Sequence, residues 1–328
     1  MEARTFGRSG RRVSELGIGM WGMAGGIGGW TGADDRQSIA VLQAAADAGV
    51  TFFDSAQVYG AGHSDGLLGS LARANPDRDL FLASKIPPKN REWPARAGSR
   101  LRDAFPEDHV RASVEGILRQ TRLESLDLVQ CHVWQDVWAD DEGWQQPVEK
   151  LKRDGLVRHV GISVNRREPE NVLRTLRTGL IDSVQVVYNI FDQAPEDELF
   201  PVCRSLGVAV IARVPLDEGS LAGTLTLDSH WPEADWRNGY FGRANLEATV
   251  PRVEALRSLV PEGETMAQLA LRFVLSNPNV TTVIPGTRSL EHLAANLAAA
   301  EAGPLPDDLL AALRAHRWDR PQSRASMS

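Results

Sequence analysis

Short apolar runs alternate along the chain with stretches whose apolar residues recur at helical spacing. Over 106–121 the helical pattern places Val110, Val114, Ile117 and Leu118 on one stripe. Eight of the apolar runs are typical of buried strands. The predicted strands are 16–19, 50–53, 81–85, 126–132, 156–163, 183–188, 208–212 and 280–284. The predicted helices include 34–48, 64–72, 106–121, 251–260, 265–276 and 307–318.

This alternation contains no segment of linker composition, so residues 1–328 are predicted to form one α/β domain, a (β/α)8 TIM barrel. Residues 4–14 predict an N-terminal β-hairpin, and 319–328 a flexible tail. Long loops are expected at the C-terminal face of the strands, over 20–31, 87–105, 133–143 and 213–250. A doubly wound fold is the alternative, because 17–22 matches Gly-x-Gly-x-x-Gly. That segment runs into more glycine rather than into a helix, which disfavours this alternative.

Composition narrows the class of protein. The 328 residues are 42% hydrophobic, which is enough for a full core, and the net charge of -7 offers no basic field for nucleic acid or an acidic membrane. The two cysteines, Cys131 and Cys203, lack metal-ligand spacing, so neither a metal site nor a disulfide is expected. No run is long enough for a membrane helix, and 1–12 lacks the apolar core of a secretory signal. A cytoplasmic enzyme of undetermined oligomeric state is expected.

Polar residues stand at or just beyond the ends of three successive predicted strands. Asp54 and Tyr59 follow the second strand, Lys85 ends the third, and His132 ends the fourth. In a parallel barrel these ends converge on one face. A tyrosine with a pKa of about 10 is a poor proton donor at neutral pH, and a nearby ammonium lowers that pKa. Lys85 is expected to act on Tyr59 in this way, with Asp54 holding Lys85 and His132 polarising a carbonyl oxygen.

From the residues alone, a proton-abstracting aldolase or isomerase site built on Asp, Lys and His remains an alternative, but it gives Tyr59 no role. The order Asp54, Tyr59, Lys85, His132 resembles the aldo-keto reductase family, over nearly the whole chain from Phe6-Gly7 to about Asn296. The resemblance implies hydride transfer between NADP(H) and the carbonyl of an aldehyde, ketone or keto-sugar. It makes Tyr59 the general acid, Lys85 and Asp54 its tuning pair, and His132 the orienting donor.

The resemblance also implies contacts with the nicotinamide. Ser163 and Gln185 match carboxamide contacts, and Tyr188 matches the aromatic residue that stacks on the ring. The family usually has Ser followed by Asn, whereas this chain has Ser163-Val164-Asn165. Asn165 therefore either reaches the carboxamide or has another role. Contacts with the nicotinamide or the substrate are implied for Gly19, Met20 and Trp21.

Two further segments match the family's contacts with the phosphates. The loop over the pyrophosphate corresponds to Arg213, Val214, Pro215, Leu216 and Gly219. A helix N-terminus beside an arginine is a good phosphate site, and the segment before the last barrel helix has this form. The residues matched to the adenosine 2′-phosphate and adenine are Gly286, Thr287, Arg288, His292 and Asn296. NADPH is therefore the expected cofactor, in preference to NADH.

Three tryptophans follow strand ends and are predicted to line the substrate pocket. They are Trp21, Trp134 and Trp138, and their flat apolar faces favour bulky or ring-shaped carbonyl compounds. A sugar or aldose dehydrogenase working in the oxidising direction is the alternative within the enzyme class. The alternative outside it is a non-catalytic accessory or redox-sensing subunit that binds the cofactor without turnover.

Overall fold

The computed structural model describes residues 1–25, 30–233 and 235–320 of the chain. An antiparallel hairpin of β1 (Ala3–Thr5) and β2 (Arg12–Ser14) precedes an eight-stranded parallel sheet. The sheet strands are β3 (Ile18–Gly19), β4 (Phe52–Asp54), β5 (Phe81–Ile86), β6 (Leu126–Cys131), β7 (Val157–Ser163), β8 (Ser183–Val187), β9 (Ala209–Arg213) and β10 (Thr282–Val283). Isolated bridges, including one between Gly19 and Gly286, join its first and last strands. The predicted (β/α)8 barrel with an N-terminal hairpin is confirmed.

Helices follow the strands around the outside of the barrel. They are α1 (Asp35–Asp47), α2 (His63–Ala74), α3 (Leu101–Ala104), α4 (Glu107–Thr121), α5 (Glu142–Arg153), α6 (Leu173–Arg177), α7 (Leu199–Leu206), α8 (Arg237–Tyr240), α9 (Arg243–Glu254), α10 (Met266–Leu275), α11 (Leu290–Glu301) and α12 (Asp307–Arg314). The predicted helix over 251–260 is misplaced, because α9 contains only its first four residues. Pro251, a residue typical of a first helical turn, instead lies inside α9, which begins eight residues earlier.

Parts of two predicted loops and most of the predicted tail lie outside the described residues, namely 26–29, 234 and 321–328. The prediction of a flexible tail is wrong for Arg320, because its side chain is 5% exposed and forms an ion pair with Asp217. No helix in the described ranges is both long and apolar enough to cross a membrane.

The hairpin covers the N-terminal end of the barrel. Phe6 is fully buried, and its ring lies 4.5 Å from that of Phe81 and 6.1 Å from that of Phe52. Phe52 and Phe81 are the first residues of β4 and β5, so this packing fills the end where those strands begin. The polar residues at the opposite strand ends consequently share the C-terminal face, where active sites of this fold lie.

Candidate active site

Lys85 is the centre of the polar cluster at the C-terminal face. It is 1% exposed, and its Nζ donates hydrogen bonds to Asp54 Oδ2 and to the Ser55 carbonyl oxygen, the latter at 2.8 Å. The same ammonium lies 3.4 Å from the hydroxyl oxygen of Tyr59. Adjacent strands β4 and β5 supply Asp54 and Lys85, which is why residues far apart in sequence meet here. The structure therefore brings together the predicted Asp54–Lys85–Tyr59 set.

The backbone after Tyr59 explains how its side chain reaches Lys85. Gly60 has a φ of 59°, in the left-handed region that glycine tolerates. A Cβ atom on Gly60 would also lie 2.6 Å from the carbonyl oxygen of Ala24. Both the turn and the close approach of the first loop thus require glycine directly after the tyrosine.

Two glutamine amides fix the other carboxylate oxygen of Asp54. Gln130 Nε2 and Gln185 Nε2 donate to Asp54 Oδ1 at 3.0 and 2.9 Å, and Gln185 also donates to Gln130 Oε1. Strand register places Gln130 beside Lys85, and Gln185 beside Ser163. The amide nitrogen of Gln185 thus donates its hydrogen bond to Asp54 in this structure. Sequence reasoning missed Gln130, although a glutamine within an otherwise apolar buried strand is a signal of such a role.

His132 lies against Tyr59 at the end of β6. The two ring centroids are 5.9 Å apart in an edge-to-face arrangement, and the ring of Trp93 lies 5.8 Å from the imidazole on another side. Burial, together with the charges of Lys85 and Arg213, holds the pKa of His132 well below its usual value. A neutral imidazole can donate one hydrogen bond to a ligand oxygen without titrating near neutral pH.

The pKa of Tyr59 departs from the expected direction. Burial raises it above the ordinary value and outweighs the opposing effect of the Lys85 ammonium. The pKa of Lys85 is also raised, because attraction to Asp54 and Tyr59 outweighs the opposing effect of burial. Lys85 thus lowers the pKa of Tyr59 as expected, but burial raises it by more, so the net pKa lies above the ordinary value. The tyrosine remains protonated, as a proton donor must be, beside a lysine that remains charged.

Above Tyr59 lies a group of tryptophans from the long loops, here called the aromatic mouth: Trp21, Trp30, Trp93 and Trp236. The ring of Trp21 lies 6.3 Å from that of Tyr59 and 5.0 Å from that of Trp236. Of the three predicted pocket residues, only Trp21 belongs to this group. Trp93 and Trp236 were missed by the sequence analysis, because nothing in a loop sequence tells which way its tryptophans turn.

The prediction that Trp134 or Trp138 lines the pocket is wrong. Trp134 is 1% exposed and Trp138 4%, and their rings pack on each other and on Phe105 and Trp144. Each indole N–H has a partner at 2.8 Å, Thr175 Oγ1 for Trp134 and the Ser99 carbonyl for Trp138. Because their rings are packed and their indole N–H groups are hydrogen-bonded, the two residues form part of the core between helices and loops.

Of the residues predicted to contact the nicotinamide, Ser163 lies where it was expected and Tyr188 does not. Ser163 ends β7 beside Gln185, as expected. Tyr188 is a correction: it is 1% exposed, its ring packs on Phe200 and Phe273, and its hydroxyl donates to Glu196. It is one residue past the end of β8 and turns outward toward the helices. Arg213, at the end of the neighbouring β9, is partly buried, and its charge acts on Tyr59 and His132 in addition to that of Lys85.

The predictions for Met20 and Asn165 are also corrected. Met20 is fully buried in the main core, so its side chain does not face the C-terminal end of the barrel. Its neighbour Gly19 lies in β3 and donates its N–H to the Pro285 carbonyl. Asn165 uses its amide nitrogen within the protein, donating to the carbonyls of Trp134 and Ala95 and to Glu168. Its Oδ1 has no hydrogen-bond partner among the described residues. Asn165 thus ties the loop after β7 to the 87–105 loop.

The predicted phosphate end lies at the start of α11. Ser289 caps this helix by accepting a hydrogen bond from the His292 N–H, and the His292 side chain is exposed. Thr287 and Asn296 bond to each other at 3.0 Å and are buried beneath the exposed Gly286. Arg288 donates to the Thr31 carbonyl at 2.7 Å. Arg288 thus directly precedes the helix cap, and His292 lies in the first turn of the helix.

The arrangement suits proton transfer to a carbonyl oxygen next to a nicotinamide. Three of the buried polar atoms that have no hydrogen-bond partner among the described residues, His132 Nδ1, Asn165 Oδ1 and Arg213 Nε, belong to residues at or just past strand ends on this face. Such atoms are costly unless a ligand or water satisfies them. Together with the helix N-terminus at Arg288, they fit a ligand that has an amide at one end and phosphates at the other.

Comparisons with known proteins agree with this geometry. The aldo/keto reductase family model matches residues 15–317. The NADH-specific methylglyoxal reductase of Escherichia coli (strain K12) is 27% identical over 297 residues, which is 88% of this chain and 90% of that protein.

Solved structures agree as well. The holo form of an aldo-keto reductase from Bacillus halodurans superposes with a TM-score of 0.76 at 25% identity, covering 99% of both chains. An aldo/keto reductase from Klebsiella pneumoniae, in complex with NADP and acetate, gives a TM-score of 0.70 at 25% identity, with complete coverage of both chains. Since the family match spans all eight barrel strands and the residues at their tips, this chain belongs to the aldo/keto reductase family of oxidoreductases.

Proposed function

We propose that this protein reduces the carbonyl group of an aldehyde, ketone or keto-sugar with NADPH. The observation that carries the proposal is Lys85, whose ammonium joins Asp54 to the hydroxyl of Tyr59, with the ring of His132 against the same tyrosine. A nicotinamide bound there would supply the hydride for the carbonyl carbon. The protein supplies the proton and the orientation of the oxygen.

Tyr59 donates its hydroxyl proton to the carbonyl oxygen, so the products are the alcohol, the oxidised cofactor and a phenolate. Lys85 stabilises that phenolate from 3.4 Å, and Asp54 keeps Lys85 charged and in place. Neutral His132 donates a hydrogen bond to the same carbonyl oxygen and orients it. The phenolate then recovers a proton from solvent. Run in reverse, the same set oxidises an alcohol, which is the sugar dehydrogenase alternative.

The substrate class follows from the aromatic mouth. Trp21 and Trp236 cover the approach to Tyr59, and Trp93 flanks His132. Flat apolar faces reward ligands that bury apolar area, so ring-bearing carbonyl compounds are expected to be better substrates than short aldehydes.

A panel of carbonyl compounds tests the proposal. NADPH oxidation is followed at constant enzyme with aromatic aldehydes, cyclic ketones, keto-sugars and methylglyoxal. Faster turnover of the ring-bearing compounds is expected. Tight NADPH binding without oxidation by any of these compounds would contradict catalysis and favour the non-catalytic accessory or redox-sensing subunit.

NADPH is proposed over NADH because Arg288 stands directly before α11, where helix N–H groups already favour an anion. Among the relatives, the Klebsiella structure contains NADP, whereas the Escherichia coli reductase is named NADH-specific. A charge-assisted contact with the 2′-phosphate is worth about 1.5–3 kcal/mol, or one to two decades in affinity.

Arg288→Ala tests the cofactor choice. The KM for NADPH should rise about 10- to 100-fold, while the KM for NADH changes little, since NADH lacks the phosphate. The measurement with NADH also shows whether losing the hydrogen bond between Arg288 and Thr31 affects cofactor binding in general. Arg243→Ala, which breaks an exposed pair with Glu247, is the matched surface control. Equal KM values for both cofactors in the unmutated protein would contradict phosphate recognition.

A further inference from the structure

The segment after β9 has a strained backbone. Val214, Asp217 and Glu218 have φ angles of 56°, 46° and 58°, in the left-handed region that non-glycine residues rarely adopt. Such residues persist only where the surroundings hold them, and they cluster at ligand clamps and switch regions. This is also the segment predicted to cover the cofactor pyrophosphate, so what holds it bears on cofactor binding.

Buried ion pairs hold the two acidic residues of this segment. Asp217 is 0% exposed and lies 3.2 Å from Arg166 Nη2 and 2.7 Å from Arg320 Nη2. Glu218 accepts a hydrogen bond from Arg166 Nη1 at 2.8 Å. Both arginine side chains are almost fully buried, at 3% and 5% exposed. Removing either arginine takes one cation from this buried set of charges, so the loop geometry depends on each arginine.

Arg320 belongs to the C-terminal segment, far along the chain from the strained loop. It follows α12, and its guanidinium stacks on Trp318 at 4.2 Å. Its Nη1 also donates to the Tyr240 hydroxyl at 2.9 Å. A single side chain thus connects the C-terminal segment to the strained loop and to α8.

The same contacts extend toward the active site. The ring of Tyr240 lies 5.8 Å from that of Trp236, which in turn lies 5.0 Å from Trp21 in the aromatic mouth. The described contacts of Arg320 are with Asp217, Asp192, Tyr240, Phe191 and Trp318, and none is with Tyr59, Lys85 or His132. Any influence of Arg320 on the reaction is therefore indirect, and its contacts with Asp217 and Tyr240 link it to the strained loop and to α8.

We propose that Arg320 is a positioning residue for cofactor binding, which holds the 214–220 loop in the conformation that receives the cofactor phosphates. The proposal rests on the function proposed above. Without Arg320, the binding-competent fraction of the loop falls, and the apparent Kd rises by the inverse of that fraction. Once the cofactor is bound the loop is in its competent form, so kcat is little affected.

Arg320→Gln tests this role, with NADPH affinity measured by titration calorimetry below the unfolding temperature. The Kd and KM for NADPH should rise at least about tenfold, with kcat within about twofold of the unmutated value. Arg317→Gln is the matched control, because Arg317 lies on the same segment in a more exposed pair with Asp197. It should leave Kd within about twofold. A purely structural role for Arg320 would lower the melting temperature without moving Kd.

Arg320→Lys is the second variant, for use if the glutamine variant does not fold. It keeps a charge near Asp217 but cannot also stack on Trp318 and bond Tyr240, so an intermediate rise in Kd is expected. A Kd within about twofold of the unmutated value in the folded variant, or an equal rise in Arg317→Gln, would overturn the role of Arg320. Failure of the unmutated protein to bind NADPH or NADH would overturn the proposed function and this inference together.

Discussion

The strand tips and the loops above them are built differently. At the strand tips, Lys85, Asp54, Gln130 and Gln185 are joined by direct hydrogen bonds, and all are 2% exposed or less. Above them, the aromatic mouth is held by ring contacts between side chains on separate long loops. A bonded set on rigid strands keeps its geometry, whereas ring contacts tolerate rearrangement. Under the proposed function, the reacting groups therefore lie at or just beyond the strand tips, and the loops are expected to select the substrate.

The largest effect should come from removing the Lys85 ammonium, which joins the other residues at the strand tips. In Lys85→Met, the buried Asp54 carboxylate loses its cation and Tyr59 loses the charge that stabilises its phenolate, so kcat should fall by about 10³ or more. Lys89→Met is the control, because Lys89 follows the same strand but forms an exposed pair with Asp108. Comparable activity in the two variants, measured by NADPH oxidation, would remove the distinction between strand tips and loops.

A smaller effect is expected from the loops, and it should be selective. Trp93→Ala removes a ring that contacts His132, so kcat/KM for ring-bearing carbonyl compounds should fall about tenfold while short aldehydes change less. Trp138→Ala should behave in the opposite way. It should cost about 3–5 kcal/mol of unfolding free energy, measured by denaturant titration, and leave the ratio between substrates unchanged. If Trp138→Ala shifted that ratio as much as Trp93→Ala, the assignment of Trp138 to the core would be contradicted.

The smallest effect concerns pH. The pKa of His132 lies well below its usual value because of burial and the charges of Lys85 and Arg213, so this ring stays neutral throughout the neutral range. The pKa of Tyr59 is raised by burial, so its protonated form persists to higher pH. Reduction should therefore show kcat/KM constant within about twofold between pH 6 and 8, declining only on the alkaline side. A step near the ordinary histidine pKa would show that His132 titrates.

The same contrast explains what the sequence could predict. The barrel and the Asp54–Lys85–Tyr59–His132 set were predictable, because a polar residue at the end of an apolar run has only one face of a parallel barrel to occupy. Tyr188 and Trp134 were predicted wrongly, since they lie one and three residues beyond the ends of β8 and β6, where the chain can turn a side chain away from the face. Trp93, Trp236 and Arg320 depend on how distant loops and the C-terminal segment meet, and local spacing carries no signal for that.

Tyr59→Phe tests whether Tyr59 donates the proton from a site organised by Lys85. Calorimetry of NADPH binding and NADPH oxidation with the best carbonyl substrate should be measured on the same preparation. Tyr188→Phe is the control, because it removes a buried hydroxyl that bonds Glu196 away from the strand-tip set. In Tyr59→Phe, kcat should fall by about 10²–10⁴ with NADPH affinity nearly unchanged, while Tyr188→Phe should keep its turnover. If Tyr59→Phe turned over at nearly the rate of the unmutated protein, Tyr59 would not be the proton donor.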